Sequence, residues 1–257
     1  MALAATLVAL WGGGEARAQV TPADQHQIVP AYFYPDWWNP ASDWYRMCDA
    51  MATTGGPSTA IMNPASGPGA AASPDYQRVI DHCHARGQRV LSYVHTSYGG
   101  RPAATVRADI DATYAFYPAI DGIFLDEMSN DAATSAYYQD VYAHVRTKPG
   151  VAEVVGNPGI PATSGWQLDA PVADRVVVFE GTAADYLGWQ APAWVSRFPA
   201  GRFAHLVHAA SQPDMARVCA RSKGQNAGSM FVTDDVMPNP WDTLPAAAYW
   251  GEELTAC

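Results

Sequence analysis

The chain is 257 residues long and 49% hydrophobic, with twenty-five acidic side chains against fifteen basic ones and a formal net charge of -10. That length suits one (β/α)8 barrel of roughly 250 residues and leaves little room for a second domain. A field of this sign repels phosphate backbones and anionic lipid surfaces, so neither nucleic acid nor membrane is an expected partner.

Residues 1–11 form an apolar run too short to span a bilayer, and Ala16-Arg17-Ala18 follows as a small-x-small cleavage pattern. A signal peptide over residues 1–18 is expected, with a mature domain over 19–257 that is extracellular or periplasmic, soluble and monomeric. No Lys or Arg precedes the apolar run, which such leaders usually carry. Cys48, Cys83, Cys219 and Cys257 are an even number in an export context, where disulfides form. Three pairings are open. Cys48 with Cys83 and Cys219 with Cys257 is preferred, because each would join neighbouring helices.

Short β-branched or aromatic runs then alternate with helical segments, the pattern of a parallel sheet covered by helices. The first predicted strand, Val29 to Tyr34, precedes a helix over Ser42 to Thr53. Thr59 to Asn63 precedes Pro74 to Arg86, with Ser73 as N-cap, proline at the first helical position and Gly87 as the stop. Arg89 to His95 leads to Ala103–Phe116, and Gly122 to Asp126 leads to Asp131–Arg146. Glu153 to Asn157 precedes a short helix near Ser164–Ala170, and Arg175 to Glu180 precedes Ala183–Gln190. Phe203 to His208 with Gln212–Lys223, and Ser229 to Thr233 with Leu244–Leu254, complete eight units. Eight units predict an α/β fold, a single TIM barrel. A doubly wound open sheet is the runner-up, but no GxGxxG follows the first strand.

In such a barrel the C-terminal strand ends form one cleft. They read Tyr34, Asn63, His95, Asp126 with Glu127, Asn157, Glu180, His208, and Thr233 with Asp234. Nearly all are polar, which suits a hydroxyl-rich ligand. Alternation along Asp121-Gly122-Ile123-Phe124-Leu125-Asp126-Glu127 puts Gly122, Phe124 and Asp126 on one face, so Glu127 reaches the cleft only where the strand breaks. Arg175-Val176-Val177-Val178-Phe179-Glu180 delivers another carboxylate from an apolar strand. Asp126 and Glu180 are therefore the expected catalytic pair. Two facing carboxylates are what glycosidic cleavage needs: one protonates the leaving oxygen, the other attacks the anomeric carbon or activates water. Tyr32, Tyr34, Trp37, Trp38, Tyr98 and Trp241 offer rings for stacking on sugars, and Trp37, Trp38 and Trp241 lie in polar surroundings that predict exposure.

No cofactor and no metal are expected. His95, His205 and His208 could supply imidazoles, but His205 and His208 lie three apart on one strand and face opposite ways. Neither HExxH nor GxSxG is present. The alternatives are a non-catalytic glycan-binding or wall protein, which would not need acids on two strands, and a metal-dependent deacetylase.

Val29-Pro30-Ala31-Tyr32-Phe33-Tyr34-Pro35, Asn63-Pro64-Ala65-Ser66-Gly67-Pro68-Gly69, Tyr93-Val94-His95-Thr96-Ser97-Tyr98-Gly99, the stretch from Asp121 to Glu127, Asn157-Pro158-Gly159 and Val178-Phe179-Glu180 resemble the spherulin-4 family in order and spacing. The resemblance implies a (β/α)8 glycoside hydrolase, similar to family 135, that cleaves internal α-1,4 bonds of N-acetylgalactosamine in galactosaminogalactan, an exopolysaccharide of fungal biofilms. It implies that Asp126, Glu127 and Glu180 are the functional acids, with Tyr32, Tyr34, Trp38, Asn63, Tyr93, His95, Tyr98, Asn157, His208, Asp234 and Trp241 as candidates for contact with the sugar. His95 departs from the family pattern, where a small or hydroxyl residue is expected.

Overall fold

A computed structural model describes residues 25–150 and 152–257. The expected leader over residues 1–18 lies outside the described residues. Eight strand and helix units follow in strict alternation: β1 (His26–Ala31), α1 (Asp43–Met51), β2 (Thr59–Met62), α2 (Pro74–His84), β3 (Arg89–His95), α3 (Ala103–Phe116), β4 (Gly122–Asp126), α4 (Ser135–Val145), β5 (Glu153–Gly156), α5 (Trp166–Asp169), β6 (Arg175–Thr182), α6 (Ala183–Gly188), β7 (Phe203–His208), α7 (Gln212–Ser222), β8 (Ser229–Val232) and α8 (Ala247–Ala256). All strands are parallel, each pairs with the next, and β8 returns to β1 to close the barrel. The expected fold is the observed one.

Most boundaries shift by one or two residues, and three differ more, for local reasons. β1 begins and ends three residues earlier, because the Tyr32 N–H leaves the ladder for the carbonyl of Trp241 (3.1 Å). Tyr34 therefore sits in a loop rather than at a strand end. The segment before α4 winds first as a 3-10 turn over Ala132–Thr134, capped by the Asp131 side chain. The last helix starts after Pro245, since the Leu244 N–H is engaged by Asp43 (3.2 Å). Ser73 occupies the N-cap of α2 without a capping hydrogen bond from its hydroxyl, and its own N–H is held by the Tyr117 hydroxyl (3.0 Å). Gly87 ends the turn after α2 at φ +73°, as a left-handed stop.

Both preferred disulfides are present. Cys48–Cys83 ties α1 to α2 and Cys219–Cys257 ties α7 to the end of α8. Loops of 35 and 38 residues closed in this way each stabilise by about 3 to 4 kcal/mol.

The barrel interior is filled, as the fold requires. At its base Glu153 is buried between Arg89 (2.8 Å) and Arg175 (2.7 Å), and Arg175 reaches on to Ser229 (2.8 Å). The seam between β8 and β1 is short, with only His26↔Ser229 and Gln27↔Met230 in register. Beyond it the Val232 N–H turns to the carboxyl of Glu253 on α8 (2.7 Å). Glu253 is fully buried, and desolvation holds its pKa well above the ordinary carboxylate range.

Candidate active site

Asp126 is the last residue of β4. The strand starts at Gly122 because its backbone crosses β5 so closely that a Cβ there would collide with the backbone of Glu153. After Asp126 the chain breaks sharply: Glu127 adopts a left-handed conformation at φ +51°, which is costly for a residue with a side chain. Neighbours hold the break. The Tyr98 N–H (2.6 Å) and the Thr96 hydroxyl (2.8 Å) donate to the Glu127 carbonyl, and the Met128 N–H donates to the Asn157 carbonyl (2.7 Å). The strand break foreseen for Glu127 therefore exists. It brings the Glu127 carboxylate to 3.4 Å from His95 Nδ1, where its charge acts on Asp126, Tyr93 and Tyr98.

Glu180 reaches the same cleft by a different device. The β6–β7 register shifts between Val177 and Phe179, leaving Val178 as an extra residue. Arg175 points into the barrel, and simple alternation from it would turn Phe179 inward and Glu180 outward. The bulge reverses that parity. Phe179 packs outside on Tyr186 and Trp189 (ring centroids 4.8 and 5.0 Å), and Glu180 faces the mouth.

Asn157, just beyond β5, joins the two acids. Its amide nitrogen donates to Asp126 Oδ1 (2.8 Å) and to Glu180 Oε2 (2.7 Å). Its oxygen accepts the Gly159 N–H (3.0 Å), which fixes the orientation of the amide. Two bonds from one nitrogen hold those two carboxylate oxygens no more than about 5.5 Å apart (2.8 plus 2.7 Å). Tyr93 and Trp241 also act on the acids, the first lowering the pKa of Asp126 and the second that of Glu180. Among the described residues no Arg or Lys pairs with either acid. Burial raises both. Asp126 is lifted above the ordinary aspartate value against hydrogen bonds from Tyr93, the Glu127 amide and Asn157. Desolvation brings Glu180 up to about 7, opposed by the Asn157 bond and assisted by the charge of Asp126.

A family model, spherulation-specific family 4, matches residues 27–257. The chain belongs to the spherulin-4 family. It is 34% identical over 218 residues to Spherulin-4 of Physarum polycephalum; the match takes in 80% of this chain and 62% of that protein, so the chain spans less than two thirds of its relative. Among solved structures it is similar to Aspergillus clavatus Sph3, crystallised in complex with GalNAc, with 27% identity, a TM-score of 0.74, and coverage of 91% of this chain and 98% of that one. A chitinase from Bacteroides thetaiotaomicron shares the fold at a TM-score of 0.52 and 10% identity, covering 90% of this chain and 96% of that one.

The remaining sites of this spherulin-4 barrel divide into two groups. Tyr32 stands at the acids: it meets Tyr93 edge-on at 5.6 Å and feels the charges of Asp126 and Glu180. The Tyr32 and Tyr93 hydroxyls have raised pKa values from burial and stay protonated as donors. His95 lies alongside Tyr93 (6.4 Å), and Tyr98 is exposed above the cleft. Trp241, expected to be exposed, is buried instead: its ring is wedged between Phe231 (5.9 Å) and His208 (6.0 Å), because its carbonyl is tied to the Tyr32 N–H. His208 is itself buried with Nδ1 unpartnered, and desolvation lowers its pKa. His205 faces outward to the Tyr186 hydroxyl (2.7 Å), opposite to His208 as alternation requires.

The other candidates stand apart from the acids. Asn63 uses its side-chain oxygen to close a turn onto the Gly67 N–H (3.2 Å). Asp234 is exposed, and its charge acts on Tyr249 of α8. Tyr34, Trp37 and Trp38 form a cluster on the loop after β1; Trp37 is half-buried, while Trp38 is exposed as expected. Two features had no local signal in the sequence: the bulge at Val178, and Asp75, which holds Tyr34 and Trp37 from α2.

Proposed function

We propose that this protein is a secreted, retaining endo-glycosidase that cleaves internal α-1,4 bonds of an N-acetylgalactosamine- or galactosamine-containing polymer. The observation that carries the reading is the Asn157 bridge, which holds two half-buried carboxylates together in one cleft. Glu180, up to about 7, keeps a proton across the acidic range and gives it to the glycosidic oxygen. Asp126, with hydrogen bonds to its ionised form from Tyr93, Asn157 and a backbone amide, attacks the anomeric carbon to form a glycosyl-enzyme. Glu180, now ionised, takes a proton from the water that releases the sugar and so returns to its starting state. Glu127 sits beside Asp126 and His95, where it tunes the nucleophile and meets the sugar's polar substituents.

Similarity to Sph3, whose crystal structure holds GalNAc, supports the choice of sugar. The two disulfides belong to an oxidising compartment, and among the described residues no helix is long and apolar enough to cross a membrane; both support action outside the cytoplasm. The test is incubation of the purified protein with galactosaminogalactan beside chitin and α-glucan, with mass analysis of the products and proton NMR of the first-formed anomer. Internal fragments from galactosaminogalactan with the α-anomer first are expected. A β-anomer first would refute retention, and absence of products from every polymer would refute the glycosidase reading in favour of a glycan-binding barrel.

A further inference from the structure

The loop after β1 carries an aromatic cluster that the chemistry at Asp126 and Glu180 does not use. Tyr34 and Trp38 are 61% and 59% exposed, yet the cluster is anchored. The Tyr34 hydroxyl donates to one oxygen of Asp75 (2.6 Å) and the Trp37 indole donates to the other (2.7 Å). The Arg78 guanidinium lies 3.9 Å from the Trp37 ring centroid, and the Trp38 ring sits 6.1 Å from Trp37 and 6.2 Å from Tyr34. One carboxylate in the first turn of α2 thus clamps a loop that belongs to β1. Tyr34 and Trp37, fixed this way, have lost rotamer freedom before any ligand arrives, which preorganises the face beside which Trp38 stands.

Beside the cluster lies an open groove of about 470 Å³ lined by Phe33, Tyr34, Asp36, Asn39, Ser42 and Asp43. Its size falls within the roughly 300–1,000 Å³ of small-molecule sites. Asp43 is engaged by Arg46 (2.6 Å) and the Leu244 N–H (3.2 Å), while Asp36 and Asn39 give the wall polar groups that suit sugar hydroxyls. Tyr34 borders both cluster and groove. It is two residues from Tyr32, which feels the charges of Asp126 and Glu180, so backbone reach separates the two Cα atoms by at most about 7 Å.

We infer that the Tyr34–Trp38 cluster and the adjoining groove form an accessory subsite for a pyranose unit of the bound polymer, a ring or two away from the bond that is cut. The C–H face of the sugar stacks on the exposed rings, and its hydroxyls bond the polar wall of the groove. Asp75 acts as a positioning residue, through Tyr34 and Trp37. The inference rests on the glycosidase reading above.

The test uses Glu180→Gln as a binding background, with α-1,4-linked galactosamine-type hexamer and disaccharide as probes in titration calorimetry. In that background Trp38→Ala is expected to weaken hexamer binding about tenfold, equivalent to about 1.4 kcal/mol. Trp38→Tyr should recover most of the loss, and the disaccharide should lose far less than the hexamer. With Glu180 restored, Trp38→Ala and Asp75→Ala should raise KM on the polymer more than they lower kcat. Trp38 is exposed, so its replacement does not threaten the fold. Hexamer affinity in Trp38→Ala within twofold of its parent, while the wild type cleaves polymer, would overturn the subsite alone. No product from the wild type together with no binding by Glu180→Gln would remove both readings.

Discussion

The two ends of this barrel hold buried carboxylates in opposite ways. At the base, Glu153 lies between two guanidiniums, so its charge is neutralised in place and joins β3, β5 and β6. At the mouth, Asp126 and Glu180 share one amide nitrogen, and among the described residues no Arg or Lys pairs with either. A carboxylate fixed between two arginines is committed to its ion pairs and serves structure. A carboxylate held by neutral donors in a desolvated cleft can gain and lose a proton near neutrality, which is what acid/base chemistry requires.

Removing an acid from each end puts this contrast under strain. Glu180→Gln is expected to lower kcat by about a thousandfold or more and leave the melting temperature within about 3 °C of wild type, measured by product release and by calorimetry. Wild-type turnover in that variant would break the assignment of the mouth. Glu153→Gln should do the reverse, costing about 3 kcal/mol in urea unfolding because two guanidiniums lose their partner, while each folded molecule keeps its turnover. A variant of unchanged stability would show that the base is not held by charge.

Smaller effects follow from Asn157. Asn157→Ala should lower kcat about a hundredfold by freeing both acids from their common anchor, with KM changed less. The pH profile carries the sign of the roles. Activity should fall as pH rises through about 7, where Glu180 loses its proton, and fall again on the acid side as Asp126 gains one. Because the Asn157 bond lowers the pKa of both acids, its loss should move both limbs upward by less than about one pH unit. A downward shift of the alkaline limb would contradict the assignment of Glu180 as the acid.

Much of this was legible in the sequence, and what was not has particular causes. β4 reads correctly to the residue because Gly122 opens it and two acids close it, and Asn157 announces itself as a polar residue after an apolar run. The position of Glu180 was legible but its direction was not. Nothing in three consecutive valines marks Val178 as the extra residue, and strict alternation from Arg175 would have turned Phe179 inward. Trp241 misleads for a related reason: Asn239, Pro240 and Asp242 around it are loop residues, yet a backbone bond from a distant strand draws its ring beneath the mouth. In both cases a tertiary contact overrides the local pattern.

The seam between β8 and β1 bears on how the molecule can be made. Among the described residues two pairs join the first strand to the last, while the Glu253 carboxyl and the Cys219–Cys257 bond fasten α8 to β8 and α7; each of these requires chain from beyond residue 228. A growing polypeptide with seven strands synthesised still exposes the edges of β1 and β7, the state in which parallel sheets are slow to fold and prone to associate. Closure must wait until β8 is available, and the Cys219–Cys257 bond behind it needs an oxidising surrounding. Passage through a translocation channel as an open chain is therefore compatible with this architecture, because a barrel that cannot close early has nothing to unfold on the way out.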